Sequence, residues 1–270
     1  MSPVRKAVVL AAGAGKRMRL AQDRTPLTDA QAAAAGMGAK AMMPLGERPF
    51  LDHVLHALAD AGIKQVGLVL APEHQAVRAH YEALAPRRIT IDYLVQATPR
   101  GTADALLAAE AFTLEERFLV LNGDNYYPPP VLARLAQCDA PALAAFSAQS
   151  LLEGEWSDSD RDARLRAFAD VRFDATGWLV GLEEKPAHTP TWISMNAWCL
   201  GPEIYRACRA IEPSPRGEWE LPSAVSHSQQ VLGVRYAVLP CRGPVLDLSQ
   251  RGDIGRVQAQ PVGRQLGLVG

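Results

Sequence analysis

The sequence has 270 residues, of which 48% are hydrophobic and 21% are charged, so a mostly disordered chain is excluded. Lys and Arg number 28 against 29 Asp and Glu, and this net charge of −1 gives no basis for non-specific nucleic-acid binding. No apolar run approaches the roughly 20 residues of a membrane span. The four cysteines are widely spaced, so we expect free thiols and a cytoplasmic protein.

The first half of the chain alternates between apolar runs and amphipathic segments. Residues 7–10 predict a buried strand that enters a tight glycine-containing loop. Pro49 opens the clearest helix, which Gly62 ends. Further strands are predicted at 65–70, 89–95, 117–121 and 142–146, and helices at 28–35, 73–84, 102–112 and 130–137. Strands separated by helices indicate βαβ units and a mostly parallel sheet.

After residue 150 this alternation is lost. Residues 153–162 are acidic and polar, which predicts a surface loop. We predict strands at 166–173, 177–182 and 192–200, helices at 202–211 and 220–230, and extended segments at 234–239 and 245–248. Neither a linker nor a repeat divides the chain. We therefore expect a Rossmann-like, three-layer α/β/α fold with a mostly parallel mixed sheet, one domain over residues 1–255 and a tail over 256–270.

The strongest functional signal lies in residues 10–18, directly after the first predicted strand. A loop of small residues offers backbone N–H groups to a phosphate, and Arg17 adds a cation beside it. The spacing differs from a dinucleotide fingerprint, because Met18 stands where the third glycine is needed. It also differs from a Walker loop, because Leu10 replaces the first glycine and Arg17 the Ser or Thr. The segment therefore predicts a phosphate-binding loop of another kind.

Residues 10–18 resemble the signature of the sugar nucleotidyltransferases, a family that includes glucose-1-phosphate thymidylyl- and uridylyltransferases. The similarity covers residues 7 to about 255. Within it, further segments resemble family motifs in the same order: 40–45, 48–51, Gln96 with 101–103, 121–124, 171–177, 183–186, Asn196, 217–221 and Asp247. The resemblance implies the nucleotidyltransferase α/β fold. It also implies transfer of a nucleoside monophosphate from a nucleoside triphosphate (NTP) to a sugar 1-phosphate, with release of pyrophosphate.

The resemblance also implies a role for individual residues. The nucleotide would lie against Leu10, Ala11, Ala12, Gly13, Gly15, Gln96, Gly101 and Thr102. Arg17, Lys40 and Lys185 would be catalytic, facing the triphosphate, the attacking or α-phosphate, and the sugar phosphate, respectively. The sugar would lie against Asn122, Glu184, Lys185 and Asn196. Asp124 and Asp247 would bind Mg²⁺, which bridges phosphate oxygens.

The base and the acceptor are less narrowly specified. Gln96 carries an amide donor and an acceptor, which favours the edge of uracil or thymine and hence UTP or dTTP. Residues 20–38 form an insertion relative to the family, and Ala169 and Ala197 stand where its sugar pocket usually has glycine. These differences leave open a CTP- or GTP-dependent enzyme, or one with another acceptor.

A different class of protein is also considered, namely a non-catalytic module that binds sugar nucleotides. Such a module would have lost charged site residues, whereas this chain keeps Arg17, Lys40 and Lys185. A glycosyltransferase would need an Asp-x-Asp motif, and Asn122 replaces its first Asp. The expected partners are the two small-molecule substrates, with neither nucleic acid nor membrane. The family is often oligomeric, so a homo-oligomer stays open.

Overall fold

The computed structural model describes residues 3–13, 15, 18–19, 25–37, 40–151, 158–243, 245–259 and 268, without the side chains of 37, 150, 151, 158–160 and 259. Its strands are β1 (Lys6–Leu10), β2 (Pro44–Leu45), β3 (Arg48–Pro49), β4 (Gln65–Leu70), β5 (Thr90–Val95), β6 (Phe118–Asn122), β7 (Asn125–Tyr126), β8 (Ala142–Ser147), β9 (Ala169–Phe173), β10 (Leu179–Glu183), β11 (Trp192–Leu200), β12 (Ala237–Cys241) and β13 (Leu246–Asp247). Its helices are α1 (Asp29–Met37), α2 (Phe50–Asp60), α3 (Gln75–Leu84), α4 (Thr102–Leu107), α5 (Glu110–Thr113), α6 (Pro129–Ala136), α7 (Asp158–Leu165), α8 (Glu203–Ala210), α9 (Leu221–Leu232) and α10 (Asp253–Ala259). None of the helices in this part of the chain is long and apolar enough to cross a bilayer.

The central sheet is mixed, as the sequence predicts. Its order is β10-β9-β11-β6-β1-β4-β5, and β8 pairs with β11 and β12. Strand β1 runs parallel to β4 and β6, β4 runs parallel to β5, and β12 runs parallel to β8. Strand β11 runs antiparallel to β6, β8 and β9. The parallel part of the sheet therefore belongs mainly to the first half of the chain, where βαβ units are predicted.

Helices cover both faces of the sheet, because its strands are apolar on both sides. In β1, Ala7 and Val9 enter the core under α2 and α6, whereas Val8 and Leu10 enter the core under α4, α8 and α9. Parallel strands buried on both faces have this nearly continuous apolar character. The apolar face of α2 is fully buried, and each large side chain there contributes about 1.5–3 kcal/mol.

The structure differs from the predicted elements at three places. The predicted helix 102–112 is two helices, because Ala109 leaves helical geometry with a ψ of 0°. The predicted surface loop 153–162 contains the start of α7, which begins at Asp158. Helix α10 continues beyond the predicted boundary at 255, and Leu268 is buried and accepts a hydrogen bond from the Arg87 N–H. All four thiols are free, as expected.

A two-stranded sheet connects two distant segments of the chain. Strand β13 pairs antiparallel with β7, and Asp247 stands opposite Asn125. The backbone N–H of Leu248 also donates to the carbonyl of Asp124, at 2.8 Å. This pairing fixes Asp247 beside the end of β6, although more than a hundred residues separate the two in the sequence.

Candidate functional site

The candidate site forms at the carboxyl ends of β1 and β6. The chain passes from β1 to β4 and β5 on one side of the sheet and returns to β6 on the other side, which creates a crevice where ligands bind in open α/β sheets. The N–H of Gly123 donates to the Leu10 carbonyl at 2.9 Å. A Cβ at Gly123 would stand 2.9 Å from the Cβ of Ala11, so glycine permits this close approach of the two loops.

A cleft of about 450 Å³ opens at this crevice, which is a size typical of small-molecule sites. Most of the predicted site residues line it: Leu10, Ala11, Ala12, Gly13, Gly15, Lys40, Gln96, Gly101, Thr102, Asn122, Asp124, Glu184 and Asn196. A smaller cavity of about 180 Å³ shares Asn122, Asp124, Glu184 and Asn196 with the cleft and adds Asp247. Residues predicted for the nucleotide, the sugar and the metal therefore meet in one continuous space.

The other two predicted catalytic residues have different outcomes. Arg17 lies outside the described residues. Lys185, two residues after the end of β10, is exposed and lines neither cavity, and its backbone has a φ of 48°. Of the two alanines that replace family glycines, Ala169 lines the smaller cavity, whereas Ala197 is buried in the core and lines neither. Of the two alanines, only Ala169 is therefore placed where its methyl group could reduce the space for a sugar.

Lys40 and Asp124 form an ion pair inside the cleft. The Lys40 Nζ lies 2.9 Å from Oδ2 of Asp124, and the two side chains are 20% and 28% exposed. Lys40 is presented by a single 3₁₀ turn (Lys40–Met42), and Asp124 lies two residues after the last residue of β6. The other oxygen, Oδ1, accepts no hydrogen bond from the described residues, so Asp124 offers a ligand one uncommitted carboxylate oxygen.

Asp247 is held by three donors. Oδ1 accepts from Asn125 Nδ2 at 3.0 Å and from the Ser249 hydroxyl at 2.9 Å, and Oδ2 accepts from Arg164. Arg164 also donates to Asp253 at 3.2 Å. Burial raises the pKa of the Asp247 carboxyl to about 6, against the opposing effect of Arg164. Both oxygens of Asp247 are therefore engaged within the protein.

The donor set suits a hard cation that brings its own additional ligands. Asp124 and Asp247 face one cavity, and carboxylate oxygens are preferred ligands of Mg²⁺. No group of three His, Cys, Asp or Glu residues among those described could hold a metal by itself. Mg²⁺ is typically held by one or two carboxylates together with substrate phosphates, so this arrangement fits the ion. Asp124 is the better ligand, because Asp247 would have to give up a donor.

Glu184 is the most strongly perturbed carboxylate at the mouth of the site. Burial raises its pKa from 4.5 to about 7, and the nearby Glu220 carboxylate raises it further while Arg216 opposes the shift. A carboxyl group that titrates near pH 7 can donate or accept a hydrogen bond, depending on its protonation. Glu184 lines both cavities, so its protonation affects the site that the sequence assigns to a sugar.

Replacing Glu184 by Gln should flatten the pH dependence of stability. A carboxyl whose pKa is raised on folding stabilises the protein fully below its unfolded pKa, and this contribution is lost as the pH rises through about 7. We expect Glu184→Gln to be more stable than the wild type by about 2 kcal/mol at pH 8, with a smaller difference at pH 5. Urea unfolding at both pH values measures this difference. Glu183→Gln, at the preceding residue, is the control, and a parallel pH profile for wild type and Glu184→Gln would contradict the prediction.

Asn196 reaches the site through a bulge in β11. The register of β11 with β8 shifts between Ser194 and Trp198, and Asn196 has a φ of 57°, which Asn tolerates better than most residues. Its Oδ1 accepts from the indole N–H of Trp198 at 3.1 Å. The bulge therefore turns Asn196 towards the cleft and leaves its amide N–H₂ for a ligand, whereas the neighbouring Ala197 enters the core.

Gln96 and Thr102 are more engaged within the protein than the sequence predicts. The Gln96 amide donates to the Gly101 carbonyl at 3.1 Å and to Asp104 at 2.8 Å, so its predicted donor role towards a base is already taken up. The Thr102 hydroxyl accepts from the Leu221 N–H at 2.9 Å and thereby caps α9. Gln96 thus presents an acceptor to the cleft, and Thr102 joins the two halves of the chain.

Gly101 should not tolerate a side chain. Its φ is 116°, and a Cβ would lie 2.3 Å from the Trp219 carbonyl oxygen, which is backbone and cannot swing away. We expect Gly101→Ala to lower the free energy of unfolding by at least about 2 kcal/mol. Chemical unfolding measures the loss, and Gly36→Ala, in α1 with no neighbour within 4 Å, is the control that should be neutral or stabilising. A Gly101→Ala protein as stable as the wild type would contradict this account.

The sequence analysis does not identify three residues of the site. Arg216 lines the cleft and donates to Glu220, and its only sequence signal is that it directly precedes the 217–221 motif. Arg164 lies between the predicted loop 153–162 and the predicted strand 166–173, where the sequence analysis assigns no element. His74 also lines the cleft, with Nδ1 3.2 Å from the Ala11 carbonyl, which requires the proton on Nδ1 because a carbonyl only accepts.

Comparison with known proteins identifies the family. Residues 6–239 match the nucleotidyl transferase family. A glucose-1-phosphate thymidylyltransferase of Streptomyces antibioticus is 32% identical over 225 residues, which are 82% of this chain and 56% of that protein. The UTP–glucose-1-phosphate uridylyltransferase AglF of Haloferax volcanii is 30% identical over 224 residues, covering 82% of each. The chain thus spans little more than half the length of the Streptomyces relative.

A solved structure shows the same fold at lower sequence identity. It is that of a putative glucose-1-phosphate thymidylyltransferase from Bacillus anthracis in complex with a sucrose, with a TM-score of 0.71, 21% identity and 94% coverage of each chain. The similarity supports the mixed sheet and the helical layers described above. From the family match, the sequence motifs and the shared fold, we conclude that the chain belongs to the nucleotidyl transferase family.

Proposed function

We propose that the chain transfers a nucleoside monophosphate from UTP or dTTP to a sugar 1-phosphate, with release of pyrophosphate. The shared lining of the two cavities carries this proposal: Gln96 and Gly101 line the larger cavity, Asp247 lines the smaller one, and Asp124 lines both. The relatives from Streptomyces and Haloferax are named for thymidylyl and uridylyl transfer to glucose 1-phosphate, which is consistent with this chemistry.

The reaction would be a direct displacement. An oxygen of the sugar phosphate attacks the α-phosphorus, the new P–O bond forms, and the bond to the β-phosphate breaks so that pyrophosphate leaves. Both reactants are anions, so the protein must neutralise charge and hold the atoms in line. Lys40 is the cation that lines the cleft beside Asp124, and we assign it to the reacting phosphates, with Arg17 as a further cation.

Mg²⁺ is the proposed cofactor, held by Asp124 and, after exchange of a donor, by Asp247. When bound, it would polarise phosphate oxygens as a Lewis acid and reduce the repulsion between the two substrates. Lys40, which is paired with Asp124, would then be available to a phosphate oxygen.

We propose that the acceptor occupies the smaller cavity. Its wall carries hydrogen-bonding groups of Asn122, Ser194, Asn196 and Ser249, which suit the hydroxyl groups of a sugar. The methyl group of Ala169 adds bulk at this wall, which we expect to affect the choice among sugars.

The test is pyrophosphate release with Mg²⁺, with UTP, dTTP, CTP, GTP and ATP each combined with a panel of sugar 1-phosphates. We expect release that requires one NTP and one sugar phosphate and stops on addition of EDTA. Preference for CTP or GTP would correct the base assignment. Nucleotide binding without any turnover would favour the non-catalytic module instead and refute the proposal.

A further inference from the structure

The amide group of Gln96 is held in one orientation. Its Nε2 lies 3.1 Å from the Gly101 carbonyl oxygen and 2.8 Å from Oδ2 of Asp104. A carbonyl and a carboxylate only accept hydrogen bonds, so the amide nitrogen must face them and Oε1 must face away. The flipped amide would set Oε1 against two oxygen acceptors, which loses both hydrogen bonds.

Asp104 is itself fixed from two sides. It lies in the first turn of α4 with a side chain that is 14% exposed, and its Oδ1 accepts from Arg100 at 2.7 Å. The Arg100 guanidinium lies 5.3 Å from the centre of the Trp219 ring, and the Trp219 N–H donates to the Arg100 carbonyl at 2.8 Å. The carboxylate that orients Gln96 is therefore itself engaged by Arg100, and Arg100 is joined to Trp219.

This orientation defines the edge that the cleft presents. Oε1 of Gln96 accepts no hydrogen bond from the described residues, and the N–H of Gly101 donates to none of them, although both residues line the cleft. An acceptor beside a donor complements the N3–H and the adjacent carbonyl of uracil or thymine. In the same position cytosine presents an unprotonated N3, whose lone pair would face Oε1.

We propose that Asp104 is a positioning residue that fixes Gln96 as an acceptor, so that the cleft selects UTP or dTTP over CTP. The inference rests on the proposed function, because it places the base at the Gln96 end of the cleft. Asp104 acts through Gln96 and does not itself touch the base, so its loss changes which nucleotide binds before it changes the rate of bond formation.

The first test replaces Asp104 by Leu. Calorimetry without acceptor gives the Kd of UTP, dTTP and CTP, and steady-state kinetics give KM and kcat. Because the freed amide can rotate, we expect the preference for UTP or dTTP over CTP to fall about tenfold in Kd and KM, with a smaller effect on kcat. Asp92→Leu, at an exposed position of β5, is the control and should keep the preference. A folded Asp104→Leu protein with wild-type preference overturns the proposal.

A second test does not depend on the folding of Asp104→Leu. Gln96→Glu alone sets a carboxylate against Asp104 and should weaken binding of UTP and dTTP. The double variant Gln96→Glu with Asp104→Asn reverses the direction of the hydrogen bond, since the new amide at 104 donates to the new carboxylate at 96. We expect it to bind UTP and dTTP about tenfold more tightly than Gln96→Glu alone. A double variant no better than Gln96→Glu alone overturns the proposal.

Binding and turnover separate this inference from the proposed function. A chain that prefers UTP or dTTP in binding but releases no pyrophosphate refutes the proposed function and leaves the role of Asp104 standing. A wild-type chain that binds CTP as tightly as UTP and dTTP, or that binds no nucleotide, overturns the inference whatever its turnover.

Discussion

Asp124→Asn is expected to reduce pyrophosphate release with Mg²⁺ by on the order of 10³-fold while leaving the fold intact. Asp124 lines both cavities and keeps Oδ1 without a donor from the described residues. The amide loses the negative charge that a divalent cation requires, and it no longer neutralises Lys40. Its contribution to stability is small by comparison, because a partly exposed ion pair is worth about 1 kcal/mol or less.

Two measurements together test the role of Asp124. Pyrophosphate release at saturating NTP and sugar phosphate reports catalysis, and thermal unfolding without metal reports the fold. Asp92→Asn removes the same charge from an exposed position of β5 and should leave both unchanged. A folded Asp124→Asn protein that turns over like the wild type would show that the metal and the reacting phosphates lie elsewhere.

The sheet and its helices can be predicted because each strand and helix has its own local pattern of apolar residues. The burial of β1 on both faces follows from its unbroken apolar run, and α2 follows from apolar residues at helical spacing between Pro49 and Gly62. Because β1 and β6 are parallel neighbours, their carboxyl ends meet, and the loops that follow them must share one site. The part of the cleft that these two loops form can therefore be predicted from the sequence.

Other parts of the site depend on backbone geometry that no local pattern reveals. The bulge in β11 turns Asn196 to the cleft and Ala197 to the core, so the predicted effect of Ala197 on a sugar does not hold. Likewise, Lys185 is exposed and has a left-handed backbone conformation, neither of which its motif reveals. A shift of the strand register by one residue at such a point changes which side chain faces a ligand.

Contacts between distant residues account for the remaining differences. Gln96 loses its donor because Asp104 and Gly101 accept from it, and neither contact is visible in the glutamine's own motif. Helix α7 has few apolar residues, so its sequence resembles a solvated loop although the helix carries Arg164 to Asp247. Arg164 is therefore the clearest case in which the structure finds a residue that the sequence conceals.

Arg164→Met is expected to lower the free energy of unfolding by about 3–5 kcal/mol in the absence of metal. Arg164 is 12% exposed and joins Asp247 and Asp253, whose side chains are 5% and 3% exposed. Removing the guanidinium leaves two buried carboxylates without that cation, whereas methionine keeps most of the side-chain volume. The loss should therefore come from uncompensated charge and not from a cavity.

A double-mutant cycle distinguishes these two sources of destabilisation. If charge is the cause, Asp247→Asn should recover about 2 kcal/mol in the Arg164→Met background, because it removes one of the two stranded carboxylates. Arg161→Met, on the same helix but facing a separate surface groove, should stay within about 0.5 kcal/mol of the wild type. Urea unfolding in EDTA measures the wild type, the two single variants and the double variant of the cycle, together with Arg161→Met. Full stability of Arg164→Met would mean that Asn125 and Ser249 alone satisfy Asp247, and the carboxylate would then be free to bind a metal without displacing a cation.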